Sequence, residues 1–326
     1  MTEPLRLGII GTGGILDRFL PGARRSAAID VVAIASRDGE RARAVATASG
    51  IPSAFGSYDA LLADSSVDAV YICLPNSMHH DWTLRSLAAG KHVLCEKPYS
   101  TDPAEVHAAH DLAAARALVL TEGFMWRHTP HALRFAEELP RVGDLRTIRA
   151  TFSFGIESES DIRLNRELQG GSLMDVGTYC VSASRLLAGR EPVAALGLAW
   201  PAASGVDDRF TGILDFGDGL VATLTSGFRS DHSSIEAIGS RGSLRLDDAF
   251  AGRATKLVGS DGLGRVGFEA EIPRVNPYEL ELDDFAAAIR GERAPRLGRA
   301  DMLGQARALR ALYESAATER LVQVGA

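Results

Sequence analysis

The sequence predicts an α/β fold, with an N-terminal Rossmann dinucleotide-binding domain followed by a C-terminal α+β domain that has a large open, mostly antiparallel sheet. The first third of the chain alternates short apolar runs with helical segments, which is typical of a parallel sheet covered by helices on both faces. The later part carries successive strand-like runs separated by glycine-containing turns, which is typical of antiparallel strands. The length of 326 residues exceeds the ~250–300 residues at which single cores stop growing. We therefore expect two domains, at residues 1–122 and 123–326.

In the first domain, strands and helices are expected to alternate. The strands are placed at 5–10, 31–36, 69–74, 92–95 and 118–121, and the helices at 14–27, 40–49, 78–89 and 103–115. The second domain is expected to contain helices at 130–138 and 172–188, a closing helix at 299–318, and strands at 147–154, 193–200, 210–216, 221–226 and 235–238. The glycine-rich stretch 259–267 is expected to be a loop.

Composition and charge argue against several classes of partner. Forty-two acidic residues against 35 basic ones give a net charge of -7, and no Lys/Arg-rich run interrupts this balance, so nucleic acid is not expected as a partner. The sequence has neither a signal-like start nor an uncharged span of ~18 residues, so we expect a cytoplasmic protein without a membrane segment. The three cysteines are scattered and the histidines have no metal-site spacing, so neither disulfides nor a bound metal are expected.

A glycine turn directly after the first expected strand indicates a dinucleotide site. The run Gly11-Thr12-Gly13-Gly14-Ile15 combines a tight turn, a position without a side chain, and the start of a helix whose amides point toward a bound pyrophosphate. The third glycine position of the dinucleotide fingerprint is Leu16, so the motif alone is a weak signal and an ordinary strand-to-helix turn stays open.

The end of the second expected strand distinguishes between the two nicotinamide cofactors. NAD-binding domains usually place an acidic residue there, which binds the ribose 2′-hydroxyl. Here the strand ends in Ser36 and Arg37, and Arg41 lies one turn into the next helix. A hydroxyl and guanidinium groups suit a 2′-phosphate, so NADP(H) is favoured. Asp38 keeps NAD(H) as the alternative, because a different turn would present its carboxylate to the ribose.

Two further segments carry groups suited to hydride chemistry. Lys97, with its neighbour Glu96, follows the fourth expected strand of the parallel sheet, at the carboxyl edge where such sheets bind ligands. A lysine there can stabilise negative charge on a substrate oxygen. Asp175 and Tyr179 are four residues apart, hence on one face of the expected helix, and Gly177 between them indicates a close approach by another group. A tyrosine near a cation can donate or remove the substrate proton.

Taken together, these motifs resemble the Gfo/Idh/MocA oxidoreductase family. The resemblance rests on the following segments: Gly11 to Gly14, Leu74-Pro75-Asn76 with His79 downstream, Glu96-Lys97-Pro98, and Gly170-Gly171 leading to Asp175, Gly177 and Tyr179. Many members carry histidine where this chain has Tyr179. With a tyrosine at this position, the chain resembles the branch of the family that contains glucose-fructose oxidoreductase, xylose dehydrogenases, dihydrodiol dehydrogenases and sugar 3-ketoreductases.

The resemblance implies roles for individual residues. The cofactor would be bound by the glycine turn, the Ser36, Arg37 and Arg41 group, and by Leu74, Pro75, Asn76, His79, Glu96 and Lys97. The substrate would face Lys97, Asp175 and Tyr179, with Trp126 and Arg163 as weaker candidates for the pocket wall. Lys97 would be the central catalytic residue. Family members often form homodimers or homotetramers through the C-terminal sheet, and the resemblance implies the same here.

We therefore predict an NADP-dependent oxidoreductase that transfers a hydride between nicotinamide and a sugar, a sugar-like polyol or a ketosugar. Two alternatives stay open. One is a trans-dihydrodiol dehydrogenase, which would be expected to have an apolar substrate pocket. The other is a non-catalytic regulator of the same fold that senses NADP or a sugar, although the presence of Lys97, Asp175 and Tyr179 argues against it.

Overall fold

The computed structural model describes residues 3–250 and 252–325, which form two compact units. The first unit extends to His128 and also includes Asn276–Leu303. The second unit consists of Thr129–Val275 and the chain from Gly304 onward.

The first unit contains a parallel sheet with the strand order of a Rossmann fold. Its strands are β1 (Leu5–Ile10), β2 (Ile29–Ala35), β3 (Ser53–Phe55), β4 (Ala69–Ile72), β5 (His92–Glu96) and β6 (Leu120–Gly123). They lie in the order β3-β2-β1-β4-β5-β6, and every pair of neighbours is parallel. The order reverses between β1 and β4, which is where such sheets open a crevice for a ligand at the carboxyl ends of the strands. The expected fold class is confirmed.

Helices connect these strands, and polar side chains define where several of them begin. The helices are α1 (Leu16–Ala23), α2 (Gly39–Ser49), α3 (Tyr58–Leu62), α4 (His79–Ala88) and α5 (Pro103–Ala115). Asp102 caps α5 by accepting a hydrogen bond from the amide of Ala104, and Pro103 occupies the first helical position, as the sequence predicts.

The remaining elements follow in chain order. They are α6 (Pro130–Glu138), β7 (Leu145–Ser153), a π-helical turn (Leu173–Gly177), α7 (Thr178–Ala188), β8 (Ala194–Pro201), β9 (Asp207–Asp215), β10 (Val221–Gly227), β11 (His232–Gly239), β12 (Gly242–Asp247), β13 (Lys256–Asp261), β14 (Val266–Glu271), α8 (Pro277–Ile289), α9 (Arg299–Thr318) and β15 (Val322–Gln323).

The sheet of the second unit is open and mostly antiparallel. Its strands lie in the order β14-β13-β12-β11-β7-β10-β9-β8-β15, and only β7 and β10 pair in parallel among the described strands. Helices α7 and α9 pack against this sheet, and Gly197 and Gly212 leave room for Leu312 of α9. Leu198, Trp200 and Ile213 are exposed on the same sheet, at 54%, 40% and 39% of their surface.

The two compact units do not coincide with the expected segments 1–122 and 123–326, because the chain returns to the first unit at α8. Helix α8 packs against α1 where Gly22 has no side chain: a Cβ atom at Gly22 would lie 2.6 Å from the Cβ of Tyr278. The Tyr278 ring also meets the Phe19 ring edge-on, with centroids 5.9 Å apart. Nothing in the local sequence pattern of α8 identifies this distant partner.

Three local expectations also need correction. The loop expected at 259–267 is shorter, because β13 ends at Asp261 and β14 begins at Val266, so that the turn contains only residues 262–265, with Gly264 at φ +78°. The helix expected at 14–27 is shorter, since it begins at Leu16 and ends at Ala23. The helix expected at 172–188 begins as the π-helical turn and becomes α-helical at Thr178.

None of the helices within the described residues is long and apolar enough to cross a membrane.

The packing of α1 on α8 makes Gly22→Ala a destabilising substitution. In an exposed helix, alanine would be more stable than glycine by ~1 kcal/mol. Here the added methyl group would overlap Tyr278 and the backbone of Glu279, so we expect the free energy of unfolding to fall by ~1–3 kcal/mol in urea denaturation. Gly155→Ala is the control, because a Cβ atom there meets nothing within 4 Å. Equal stability of the two variants would contradict this packing.

Candidate functional site

The glycine turn after β1 has the geometry that a pyrophosphate needs. Gly11 has φ +115°, and a Cβ atom there would lie 3.0 Å from the carbonyl oxygen and 3.1 Å from the Sγ of Cys73. A Cβ atom at Gly13 would lie 3.4 Å from the same oxygen. Helix α1 then begins at Leu16, and no side chain caps its N-terminus at Ile15. The positive end of the helix dipole therefore lies beside the glycine turn, which suits the phosphates of a dinucleotide.

Two arginines lie at the end of β2 beside this turn. Arg41 donates a hydrogen bond from Nη2 to the carbonyl oxygen of Thr12, with a length of 3.0 Å, and so fastens α2 to the glycine turn. Arg37 is exposed, and its charge acts on the hydroxyl of Tyr58. Burial raises the pKa of the Tyr58 hydroxyl, and the charge of Arg37 opposes that rise. The two guanidinium groups make this end of the sheet suited to a phosphate.

Asp38, in the same turn, caps the helix that follows. Its Oδ1 accepts hydrogen bonds from the amides of Glu40 and Arg41, at 2.9 Å and 3.2 Å, and so caps α2. The amide of Asp38 in turn donates to Oγ of the buried Ser36. The carboxylate is therefore directed toward its own helix, in the conformation that leaves Arg37 exposed.

The strand register brings the other candidate segments of the first unit to one edge of the sheet. Ile10 pairs with Ile72, and Ile72 pairs with Cys95, so β1, β4 and β5 end at the same level. The segments that follow these strand ends include Gly11 to Ile15, Leu74-Pro75-Asn76 and Glu96-Lys97. The carboxyl edge thus carries both the glycine turn and the lysine.

Glu96 organises the surroundings of Lys97. Its Oε1 accepts a hydrogen bond of 2.6 Å from the hydroxyl of Tyr71, and its Oε2 accepts one of 3.2 Å from the amide of Lys97. Tyr71 is fully buried and stacks on Phe19, with ring centroids 3.8 Å apart. Burial raises the pKa of the Tyr71 hydroxyl well above its ordinary value, and the charge of Glu96 adds to the rise. Glu96 is thereby held by a neutral donor from β4, while Lys97 is half-buried.

His79 joins two loops of this edge and is not exposed to solvent. Its Nδ1 lies 2.9 Å from the carbonyl oxygen of Pro98, and its Nε2 lies 2.8 Å from that of Leu74. Burial lowers the pKa of this imidazole, and the charge of Lys97 lowers it further. To contact a cofactor, as expected from the sequence, the His79 ring would have to give up its contact with the carbonyl oxygen of Pro98 or of Leu74. In this arrangement, His79 positions the peptide after Lys97 instead.

The other candidates of the first unit differ in exposure. Asn76 is half-buried in a short 3-10 turn, Asn76–Met78, after β4. Trp126 is only 1% exposed in the 3-10 turn Met125–His128, so its ring is mainly part of the packing. Nearby, Glu122 is buried and accepts a 2.7 Å hydrogen bond from the amide of Tyr99.

In the second unit, Asp175 and Arg163 are directly bonded. Arg163 donates from Nε to Oδ2 of Asp175 at 2.8 Å, and from Nη1 to both carboxylate oxygens of Asp161 at 3.2 Å. Burial acts to lower the pKa of Arg163, but the fields of Asp175 and Asp161 outweigh it and raise that pKa. Two carboxylates thus bind one guanidinium.

Aromatic rings surround Tyr179 in the second unit. The Phe152 ring meets the Tyr179 ring edge-on at 5.4 Å between centroids, and the Phe250 ring lies 5.6 Å away. Phe152 and Phe250 are stacked on each other at 5.2 Å. Tyr179 is 7% exposed, so its ring is held in one place by apolar neighbours.

The helical segment that carries Asp175 and Tyr179 is not the regular α-helix that the sequence predicts. Residues Leu173–Gly177 form a π-helical turn, which widens the helix and changes the angle between side chains four residues apart. The close approach expected at Gly177 is confirmed: a Cβ atom there would lie 2.9 Å from Oγ of Ser226.

The candidate residues are thus divided between the two units. The glycine turn, Ser36, Arg37, Arg41, Asn76, His79, Glu96 and Lys97 belong to the first unit, whereas Arg163, Asp175 and Tyr179 belong to the second. Tyr71 was not among the residues predicted from sequence, because its partner Glu96 is brought near only by strand pairing. Within the described ranges, no three His, Cys, Asp or Glu side chains are grouped as a metal site.

Comparisons with known proteins cover both units. The chain matches the model of an oxidoreductase family with an NAD-binding Rossmann fold over residues 5–124. It also matches the model of the GFO/IDH/MocA C-terminal domain over residues 121–245.

Individual relatives match most of the chain. A D-xylose 1-dehydrogenase (NADP(+)) from Haloferax volcanii is 37% identical, over 98% of this chain and 100% of its own. A dTDP-3,4-didehydro-2,6-dideoxy-alpha-D-glucose 3-reductase from Streptomyces violaceoruber is 40% identical, over 76% of this chain and 74% of its own. Among solved structures, a 3-ketoreductase from Actinomadura kijaniata in complex with NADP and TDP-benzene has a TM-score of 0.90 at 30% identity, over 96% of this chain and 98% of its own.

Proposed function

The chain belongs to the GFO/IDH/MocA oxidoreductase family, and we propose that it is an NADP-dependent dehydrogenase or reductase of a sugar, a sugar-like polyol or a ketosugar. The observation that carries this proposal is the common sheet edge of the first unit, where the register of β1, β4 and β5 brings the glycine turn and Lys97 to the same level. When bound there, the nicotinamide cofactor supplies the hydride acceptor or donor.

The preference for NADP is supported by the end of β2. Arg37 is exposed and Arg41 is fastened to the glycine turn, while the carboxylate of Asp38 caps α2. A 2′-phosphate would gain charge-assisted hydrogen bonds from the guanidinium groups. The xylose dehydrogenase relative is named for NADP, and the ketoreductase structure contains it.

Lys97 and Tyr179 are the residues to which we assign the chemistry. The ammonium of Lys97 would donate a hydrogen bond to the reacting oxygen and stabilise its developing negative charge. In oxidation, the Tyr179 phenolate would take the alcohol proton, and in reduction, the Tyr179 hydroxyl would give a proton to the carbonyl oxygen. Asp175, held by Arg163, would accept hydrogen bonds from substrate hydroxyls. We propose that Asn76 and Glu96 line the part of the site that binds the nicotinamide.

Asp161 and Asp175 both bind the guanidinium of Arg163, so this cluster offers donors and acceptors that suit substrate hydroxyls. The relatives' names include a dehydrogenase of a free aldose and a reductase of a nucleotide-linked ketosugar, so both substrate classes belong in the test.

A second candidate substrate class is favoured by the rings beside Tyr179. Phe152 and Phe250 would give an apolar wall, as a trans-dihydrodiol dehydrogenase needs. The Asp161, Arg163 and Asp175 cluster argues for a polar ligand instead, because its charged groups are suited to several hydroxyls.

A substrate panel with Lys97→Ala tests the proposed reaction. We expect wild-type protein to change NADPH absorbance with at least one neutral aldose or polyol. The variant should lose ~10²-fold or more in kcat, because one preorganised donor to a developing oxyanion is removed, with the dissociation constant for NADPH nearly unchanged. Dihydrodiols, sugar acids and nucleotide sugars complete the panel.

Lys256→Ala is the matched control, because Lys256 is half-exposed on β13 and paired with Glu269. Its kcat should equal that of the wild type. Unchanged turnover in Lys97→Ala would remove Lys97 from its proposed role, and NADPH binding without turnover of any panel member would favour a sensor over an enzyme.

Arg37→Ala tests the choice of cofactor. Loss of a charged hydrogen bond to the 2′-phosphate should raise the dissociation constant for NADPH by ~10-fold or more and leave that for NADH within a factor of ~2. Arg149→Ala is the control, since Arg149 lies on β7 of the second unit and is paired with Glu236. If the dissociation constants for NADPH and NADH rose equally, Arg37 would not be binding the 2′-phosphate.

We also propose that the chain forms a homodimer or homotetramer through the open face of the second sheet. Leu198, Trp200 and Ile213 expose apolar surface on the adjacent strands β8 and β9, and Leu198 lies opposite Thr211 in the strand pairing. Apolar patches of this kind mark interaction surfaces. The cytoplasmic location expected from the sequence stays a prediction.

Light scattering after size-exclusion chromatography tests the assembly. Ile213→Lys should shift the oligomer to monomer, because association would have to bury the new charge. Leu263→Lys, in the turn between β13 and β14 where the leucine is 78% exposed, should leave the mass unchanged. A monomeric wild type would overturn the proposal.

A further inference from the structure

One buried carboxylate of the second unit has no part in the chemistry proposed above. Asp207 lies at the start of β9 and is 6% exposed. A buried acid is stable only when its oxygens are hydrogen-bonded, so the groups that bind it identify what it does.

Asp207 binds the beginning of the π-helical turn. Its Oδ2 accepts hydrogen bonds from the amide of Leu173 at 2.7 Å and from Oγ of Ser172 at 2.8 Å. Its Oδ1 accepts one from the hydroxyl of Tyr313 at 3.0 Å. Burial raises the pKa of Asp207, while the hydrogen bonds from Leu173, Ser172 and Tyr313 act in the opposite direction. The carboxylate therefore satisfies donors at the helix start that would otherwise be buried without a partner.

The backbone before the turn is shaped to admit this carboxylate. Gly171 has φ +124°, and a Cβ atom there would overlap Oδ1 of Asp207. The amide of Gly171 donates to the carbonyl oxygen of Arg163 at 2.8 Å, and its own carbonyl accepts from the amide of Asp175 at 3.0 Å. The contact with Asp207 is therefore continuous with the backbone that carries both Arg163 and Asp175.

A second set of contacts reaches the other end of the turn. Oγ of Ser172 lies 3.0 Å from Oγ of Ser226 on β10, and both serines are fully buried. Ser226 also occupies the space beside Gly177, together with the side chain of Leu173. The turn between Ser172 and Thr178 is thus fixed at both ends by groups of the sheet.

We propose that Asp207 is a positioning residue for the reaction: through Ser172 and the amide of Leu173, it sets the orientation of the π-helical turn that presents Asp175 and Tyr179. This inference rests on the proposed function, because it assigns those two side chains to the substrate. An error of ~1 Å in the placement of such groups can lower a rate by ~10²-fold, so the effect should appear in turnover.

Two substitutions at Asp207 separate positioning from simple loss of a side chain. In Asp207→Ala, the amide of Leu173 and Oγ of Ser172 lose their acceptor, and we expect kcat on the active sugar to fall by ~10²-fold with NADPH binding unchanged. In Asp207→Asn, the amide oxygen can still accept from both groups, and the side-chain NH2 can donate to the hydroxyl of Tyr313. We expect this variant to retain kcat within about threefold of the wild type.

The neighbouring Asp208→Ala is the matched control. Asp208 lies on the same strand but pairs with Arg229 instead of contacting the turn. Its kcat should be that of the wild type. Hydrogen exchange gives a readout independent of activity: the amide of Leu173 should exchange faster in Asp207→Ala than in the wild type, Asp207→Asn or Asp208→Ala.

The outcomes distinguish the two proposals. If wild-type protein binds NADPH but turns over no sugar, the proposed function fails and the positioning role fails with it. If the wild type is active and Asp207→Ala is equally active, only the positioning role is overturned. Equal losses in Asp207→Asn and Asp207→Ala would also overturn it, because the hydrogen-bond acceptor would then not be what matters.

Discussion

The close approach of the first glycine turn to the end of β4 is the constraint on which the first unit's site depends. The carbonyl and thiol of Cys73 occupy the space that a side chain at Gly11 would need, and Gly11 adopts a backbone conformation that glycine tolerates. This contact fixes the start of α1 at the carboxyl edge of the sheet. Since β5 continues the same register, Lys97 emerges at that edge as well. Backbone geometry therefore determines where the proposed chemistry can occur.

Both units use an aspartate to fix the segment that bears their polar groups. Asp38 binds the amides of Glu40 and Arg41 in the first unit, and Asp207 binds the amide of Leu173 in the second. In each case a carboxylate replaces the missing acceptor at the start of a helix. The consequence differs between them: Asp38 is directed into α2 while Arg37 is exposed, whereas Asp207 is itself buried and lies under the turn.

The chemistry of the second unit combines charge with aromatic packing. Arg163 is held between Asp161 and Asp175, and Tyr179 is held by Phe152 and Phe250. The charged cluster would orient hydroxyl groups, and the rings would restrict the motion of the phenol. Together they favour a polar substrate, which is consistent with the sugar oxidoreductases among the relatives.

The sequence by itself determined the Rossmann order of elements, the glycine turn and the cap of α5, because each depends on residues adjacent in the chain. It also indicated the family and the tight contact at Gly177. Only the tertiary structure decided that α8 returns to the first unit and that Leu173–Gly177 is π-helical. The Tyr71 contact to Glu96 and the support from Asp207 were decided in the same way. These features arise from packing between segments that are far apart in sequence. Local propensity depends only on neighbouring residues, so it cannot predict which distant group will pack beside a given residue.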